Sequence, residues 1–112
     1  MFAFGSIVLT RFPFTDLSSA KVRPARVISD HNDRRSDIVL AFMTSNTSAA
    51  IADALLLQPS SHNGLKVPTL VRFDKIATLE MQIVAGKIGD AEPAFLKAAA
   101  PIFFGVFGFG EP

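Results

Sequence analysis

The chain has 112 residues, enough for one domain with one hydrophobic core and too few for a second. Hydrophobic residues make up 49% and charged residues only 19%, below the usual share of about a quarter, so a partner is expected to cover part of an apolar surface. The lack of cysteine excludes a disulfide framework and thiolate-bound zinc, the two histidines argue against a histidine-rich metal site, and a net charge of +1 does not by itself announce nucleic-acid binding.

In chain order, residues 6–11 read as a first strand, rich in β-branched and apolar side chains. Residues 12–21 form a loop with Pro13, Asp16, Ser18 and Ser19 as turn formers, and 22–29 a second strand with Pro24 near its beginning or on an edge. A polar turn at 30–36 precedes a third strand over 37–45, whose unbroken apolar run at 38–43 predicts burial on both faces. A small-residue turn at 46–50, a short strand at 53–58, a turn-rich loop at 59–66 and a fifth strand at 67–73 follow. Residues 75–88 hold one or two further β segments broken at Gly86. A helix is expected over 92–100, with Pro93 at its first position and Pro101 stopping or kinking it. Many short strands separated by regular turns predict a mainly β chain, a single domain over 1–112 built as a small curved barrel with a terminal helix.

The N-terminal residues Met1, Phe2, Ala3 and Phe4 lack the basic start and long apolar core of a secretory signal. The longest apolar run, 102–109, falls well short of the roughly 20 residues that cross a bilayer, so a soluble cytoplasmic protein is the default expectation.

Three separated pieces carry candidate chemistry. Arg23 precedes Pro24, which pushes its backbone into extended geometry and gives its planar, permanently charged fork a stiff base suited to phosphate oxygens. Read alone, it is a surface arginine on a hairpin. Thr44 and Ser45 end the apolar third strand, where hydroxyls commonly cap the strand and open the turn. Arg72 and Asp74 alternate with Val71 and Phe73, so strand geometry puts the two charges together on the face away from the core. Read alone, that pair is an exposed ion pair worth about 0–1 kcal/mol.

Taken in order, these pieces resemble the PemK/MazF family of toxins from bacterial toxin–antitoxin pairs. The resemblance rests on Gly5-Ser6-Ile7-Val8, on Phe12-Pro13-Phe14-Thr15-Asp16, on Arg23-Pro24-Ala25, and on Thr44-Ser45. It continues through Gly64-Leu65-Lys66-Val67-Pro68, through Val71-Arg72-Phe73-Asp74-Lys75-Ile76-Ala77-Thr78, and through Gly86-Lys87-Ile88-Gly89. It implies an SH3-like barrel that pairs into a homodimer, an endoribonuclease acting on single-stranded RNA, and a cognate antitoxin that neutralises the toxin and with it binds DNA. It also implies catalytic roles for Arg23, Thr44, Arg72 and Asp74, and an RNA-binding surface of Phe12, Phe14, Thr15, Lys21, Ser45 and Lys75, with no metal and no cofactor. Ser6 departs from the family's acidic residue at that place. The end of the chain is more apolar than the family's charged last helix, with Ile102, Phe103, Phe104 and Phe107 in need of cover by a dimer, an antitoxin or the barrel.

The chemistry that suits these residues is RNA cleavage without a metal. The 2′-hydroxyl loses a proton and attacks the adjacent phosphorus, with Asp74 as base if partly desolvated. Arg23 and Arg72 neutralise the charge that gathers on the phosphorane, and one of them relays the proton to the leaving 5′-oxygen. Thr44 orients a phosphate oxygen or the attacking hydroxyl. A 2′,3′-cyclic phosphate results, and DNA resists for want of the nucleophile. Unpaired bases would stack on Phe12 and Phe14, although pinning the loop to the barrel is an equal use for those rings. Two other classes share the fold: a non-catalytic barrel binding RNA or protein, and a gyrase poison of the CcdB kind.

Overall fold

The structure is a computed structural model that describes residues 2–11, 22–48 and 52–110. The strands are β1 (Ser6–Thr10), β2 (Arg23–Val27), β3 (Asp37–Thr44), β4 (Ala54–Leu57), β5 (Thr69–Glu80) and β6 (Gly86–Asp90), followed by helix α1 (Pro93–Val106). They form a single antiparallel sheet in the order β4-β5-β3-β2-β1-β6. The sheet curls into a half-barrel, and α1 packs over one of its apolar faces against β4 and β5.

Alternation along the strands makes two apolar layers. Ile7, Ala41, Met43, Val71 and Phe73 point toward α1, where Phe95 and Ala99 meet them. Val8, Ala25, Val27, Ile38 and Leu40 form the second layer on the other face. The central strand β3 serves both, because Ile38 and Leu40 belong to one layer and Ala41 and Met43 to the other, all fully buried. That is the two-sided burial its continuous apolar run predicts.

The β4 and β6 edges share no ladder; the loop between β4 and β5 joins them instead. The Asp90 backbone N–H donates to the His62 carbonyl at 3.0 Å. Asn63, fully buried, ties this loop internally. Its amide donates to the Gln58 carbonyl at 2.8 Å and to Glu92 at 3.1 Å, and its side-chain oxygen accepts from the N–H groups of Ser60 and Leu65, each at 3.0 Å. The approach needs glycine on both sides. Gly64 adopts φ +73°, and a Cβ there would fall 2.1 Å from the Ile88 carbonyl oxygen.

Two elements differ from expectation. The break expected between the fifth strand and the segment from 75 does not occur, since β5 is one strand of 12 residues, whereas the chain does break after Glu80 and a separate strand, β6, begins at Gly86. Continuity is kept by a bulge. The ladder passes from Phe42↔Arg72 to Ala41↔Ile76, leaving Phe73, Asp74 and Lys75 as extra residues on β5. Helix α1 also runs through Pro101 to Val106. A mid-helix proline removes one backbone bond and costs about 3 kcal/mol. The turn beyond it offsets this by placing Ile102, Phe103 and Val106 against the core, with Phe103 edge-on to Phe73 at 6.3 Å between centroids. The remaining face stays uncovered, with Phe104 and Phe107 each 48% exposed. Among the described residues no helix is long and apolar enough to cross a membrane.

One buried side chain beneath α1 is charged. Arg26 lies opposite Ile7 and Ala41, on the face that meets the helix, and is only 4% exposed. Its guanidinium carbon sits 5.1, 5.8 and 5.5 Å from the ring centroids of Phe4, Phe73 and Phe95. Burial pulls its pKa down to about 10, which leaves it charged at neutral pH. Cation–π contacts contribute about 0.5–2 kcal/mol each and offset part of the desolvation cost.

Candidate functional site

Where β3 ends, β2 begins and the β4–β5 loop folds back, a cavity of about 600 Å³ opens. Arg23 reaches it from the first residue of β2, paired with Thr10 of β1. It is exposed, and among the described residues it forms no ion pair. Thr44 and Ser45 reach the cavity from the end of β3, and Lys66 from the returning loop. The described lining thus holds two cations and several hydroxyl and amide groups, with no carboxylate. A charge balance of that kind is complementary to an anionic group.

The Thr44 hydroxyl oxygen accepts the Asn46 backbone N–H at 3.1 Å, the turn-opening bond expected of a strand-end threonine. In this bond the oxygen is the acceptor, and among the described residues no acceptor takes the hydroxyl proton. Asn46 in turn accepts from the hydroxyl and N–H of Ser48 through its side chain, so the turn beyond Thr44 is internally braced.

Arg72 and Asp74 form the ion pair that strand alternation predicts. Arg72 donates from Nε to Asp74 Oδ1 at 3.1 Å and from Nη2 to Oδ2 at 2.7 Å, a two-bond fork. The pair lies at the surface, Arg72 half-buried and Asp74 exposed, with the two side chains keeping 20% and 29% of their exposure. Desolvation does act on the Asp74 carboxyl, but the Arg72 fork outweighs it and holds the carboxyl below the usual carboxylate range. The same fork raises Arg72. Asp74 in this state is a weak base that orients an arginine.

Phe42 joins the two halves of the site. It lines the cavity, faces Arg72 across the β3–β5 ladder, and has Lys75 Nζ at 5.7 Å from its ring centroid. The cavity therefore gathers Arg23, Thr44 and Ser45, while Arg72, Asp74 and Lys75 stand outside its lining, on the neighbouring bulge beyond Phe42. The candidate RNA contacts Phe12, Phe14, Thr15 and Lys21 lie outside the described residues.

Sequence reasoning passed over Phe42, Lys66 and Asn63. Phe42 sat within an apolar run and looked like core. Lys66 lay at the end of a turn-rich loop, in a stretch that also carries the family resemblance. The signal for Asn63 was the Asn-Gly pair with Gly64, a turn whose second residue needs positive φ.

A curled antiparallel half-barrel followed by a C-terminal helix, with a cationic cavity where its strands end, defines a class of small β proteins. Sequence comparison makes the class specific. Residues 3–100 match the PemK-like, MazF-like toxin of type II toxin-antitoxin systems, and the chain belongs to that family. No curated protein sequence matches it. Among solved structures, an endoribonuclease in complex with its cognate antitoxin from a Mycobacterial species is similar over 100% of both chains, with a TM-score of 0.80 and 19% identity. The Mycobacterium tuberculosis toxin MazF-mt6 is similar over 95% of this chain and 99% of its own, with a TM-score of 0.77 and 18% identity. MazF from Deinococcus radiodurans is similar over 96% of each chain, with a TM-score of 0.74 and 20% identity. At these identities the likeness concerns the fold.

Proposed function

We propose that this chain is a toxin endoribonuclease that cuts single-stranded RNA by attack of a 2′-hydroxyl on the adjacent phosphorus, without a metal ion. One observation carries the reading: a cavity with Arg23, Lys66 and the Thr44 hydroxyl in its described lining, no carboxylate among them, and a forked Arg72–Asp74 pair beside it. Family membership supports the same reading, as does the solved relative described as an endoribonuclease with its cognate antitoxin.

The scissile phosphate sits at Arg23, with the Thr44 proton on a non-bridging oxygen. Arg72 completes the charge. When a phosphate oxygen takes one arm of the Arg72 fork, the Asp74 carboxylate loses part of what depresses its pKa and becomes the stronger base. It then accepts the 2′-hydroxyl proton. As the P–O5′ bond breaks, the leaving oxygen takes a proton relayed through the arginine side of the site. The products are a 2′,3′-cyclic phosphate and a 5′-hydroxyl. Ser45 and Lys75 extend the RNA contact on either side of Phe42. The chain works as a homodimer in the cytoplasm, and a cognate antitoxin holds it inactive.

The deciding experiment incubates purified protein with single-stranded RNA of mixed sequence in EDTA and maps the ends formed. Cyclic-phosphate ends, lost in R23A and R72A, are the expected result. Tight RNA binding without cutting would overturn cleavage in favour of a binding module, and cutting only with added divalent metal would overturn the metal-free step.

A further inference from the structure

A second cavity, of about 200 Å³, lies beneath α1 and is lined by Arg26, Phe4, Leu96, Ala99, Ala100 and Phe103 among others. Arg26 shares a row with Ile7 and Ala41 on the helix side of the sheet, whereas Arg72 shares one with Phe42 and Ala25 of the other layer. The two arginines therefore serve different faces. We propose that this cavity is a binding site for a small monocarboxylate with a compact apolar body, its carboxylate on the Arg26 guanidinium and its body among Phe4, Leu96, Ala99 and Phe103.

Five observations converge on that ligand. Arg26 is more than nine-tenths buried, yet among the described residues its side chain has neither an ion pair nor a hydrogen bond, and its buried Nε–H is without an acceptor. Around it are three aromatic faces, which stabilise a cation without neutralising it. The rest of the lining is apolar, so one anionic group satisfies the site, and the extra oxygens of a phosphate would be buried without donors. A planar carboxylate matches the guanidinium fork. The size fits as well, since an apolar cavity of about 150 Å³ takes benzene, and this one has room for a ring of that size with a carboxylate. Phe4 and Phe104, both among its lining residues, keep 45% and 48% of their exposure and give an apolar body a surface to approach.

The site does not depend on RNA cleavage, and its test needs none. Benzoate is titrated into the full chain and followed by calorimetry and by the Arg26 Nε–H resonance. The expected result is one site per chain with a Kd of about 1 mM or tighter and a shift of that resonance. Acetate, which lacks the body, and benzyl alcohol, which lacks the charge, should each bind at least about tenfold more weakly. R26M replaces an unpaired buried charge with an apolar chain of similar reach, so it should fold and lose benzoate binding. A100L fills the cavity, leaves Arg26 in place and should weaken benzoate at least about tenfold, which keeps the test decisive if R26M does not fold. Saturation by benzoate that is unchanged in A100L or R26M, or no binding to the unaltered chain at roughly twenty times 1 mM, overturns the assignment.

Discussion

Gly89 of β6 packs against the backbone of Asn63 so closely that a Cβ at Gly89 would lie 2.3 Å from the Asn63 carbonyl carbon. Backbone atoms cannot yield as a flexible side chain can. G89A should therefore push the β4–β5 loop off the sheet and destabilise the fold by about 2–4 kcal/mol in urea unfolding. G86A, with nothing within 4 Å of its Cβ, should change stability by less than about 1 kcal/mol. Equal effects of the two substitutions would refute contact across the closure.

Asn63 holds the same loop from inside. N63A leaves the N–H groups of Ser60 and Leu65 without their acceptor and frees the Gln58 carbonyl. A loss of about 2–4 kcal/mol is expected. Because Leu65 and Lys66 wall the larger cavity, RNA affinity should fall in folded N63A as well, measured below its melting point.

Arg23 is expected to behave in the opposite way. It is exposed and has no ion pair among the described residues, so R23A should leave Tm nearly unchanged. RNA cleavage should fall by about 10²–10³-fold, the effect of removing one group that stabilises transition-state charge. A large drop in Tm with the loss of activity would mark Arg23 as structural.

The Arg72–Asp74 pair should show in pH dependence. Its folded carboxyl is a stronger acid than the unfolded one, so its contribution is complete above the unfolded value of about 4 and is lost as pH falls through the lower folded value. A double-mutant cycle with R72M and D74N should give a coupling of about 0.3–1 kcal/mol at neutral pH, which disappears once Asp74 is protonated. Persistence of the coupling in acid would show that it is not ionic.

On α1, neighbouring phenylalanines should separate cleanly. Phe103 packs on the core and meets Phe73 edge-on, and F103A should cost about 2–4 kcal/mol. F104A, at a position nearly half exposed, should cost less than about 1 kcal/mol. Urea midpoints of the two variants check this.

Local patterns made much of this structure legible. The alternation of Val71, Arg72, Phe73 and Asp74 predicted both the buried face and the ion pair, and the apolar run in β3 predicted its two-sided burial. What stayed hidden depended on distant partners. The bulge at 73–75 arises from pairing with β3, and no feature of β5 alone reveals it. Helix α1 continues past Pro101 because core contacts outweigh a local penalty, so proline overstated the boundary. Arg26, flanked by Ala25 and Val27, gave no sign that three phenylalanines distant in sequence would enclose its charge.

The half-barrel is closed by a loop, and that loop is also a wall of the larger cavity. The seam between β4 and β6 carries no strand ladder and is held by the Asp90 N–H bond to the His62 carbonyl, by Ser60 and Asn63 on Glu92, and by the close backbone contacts of Gly64 and Gly89. Amide protons of residues 60–66 should accordingly exchange faster than those of β3. Any molecule that fills the cavity bridges both sides of the seam, so occupancy is felt as mechanical reinforcement of the whole barrel. A substrate, or an inhibitor lying in its place, would then slow exchange along β6 as well as at the residues it touches.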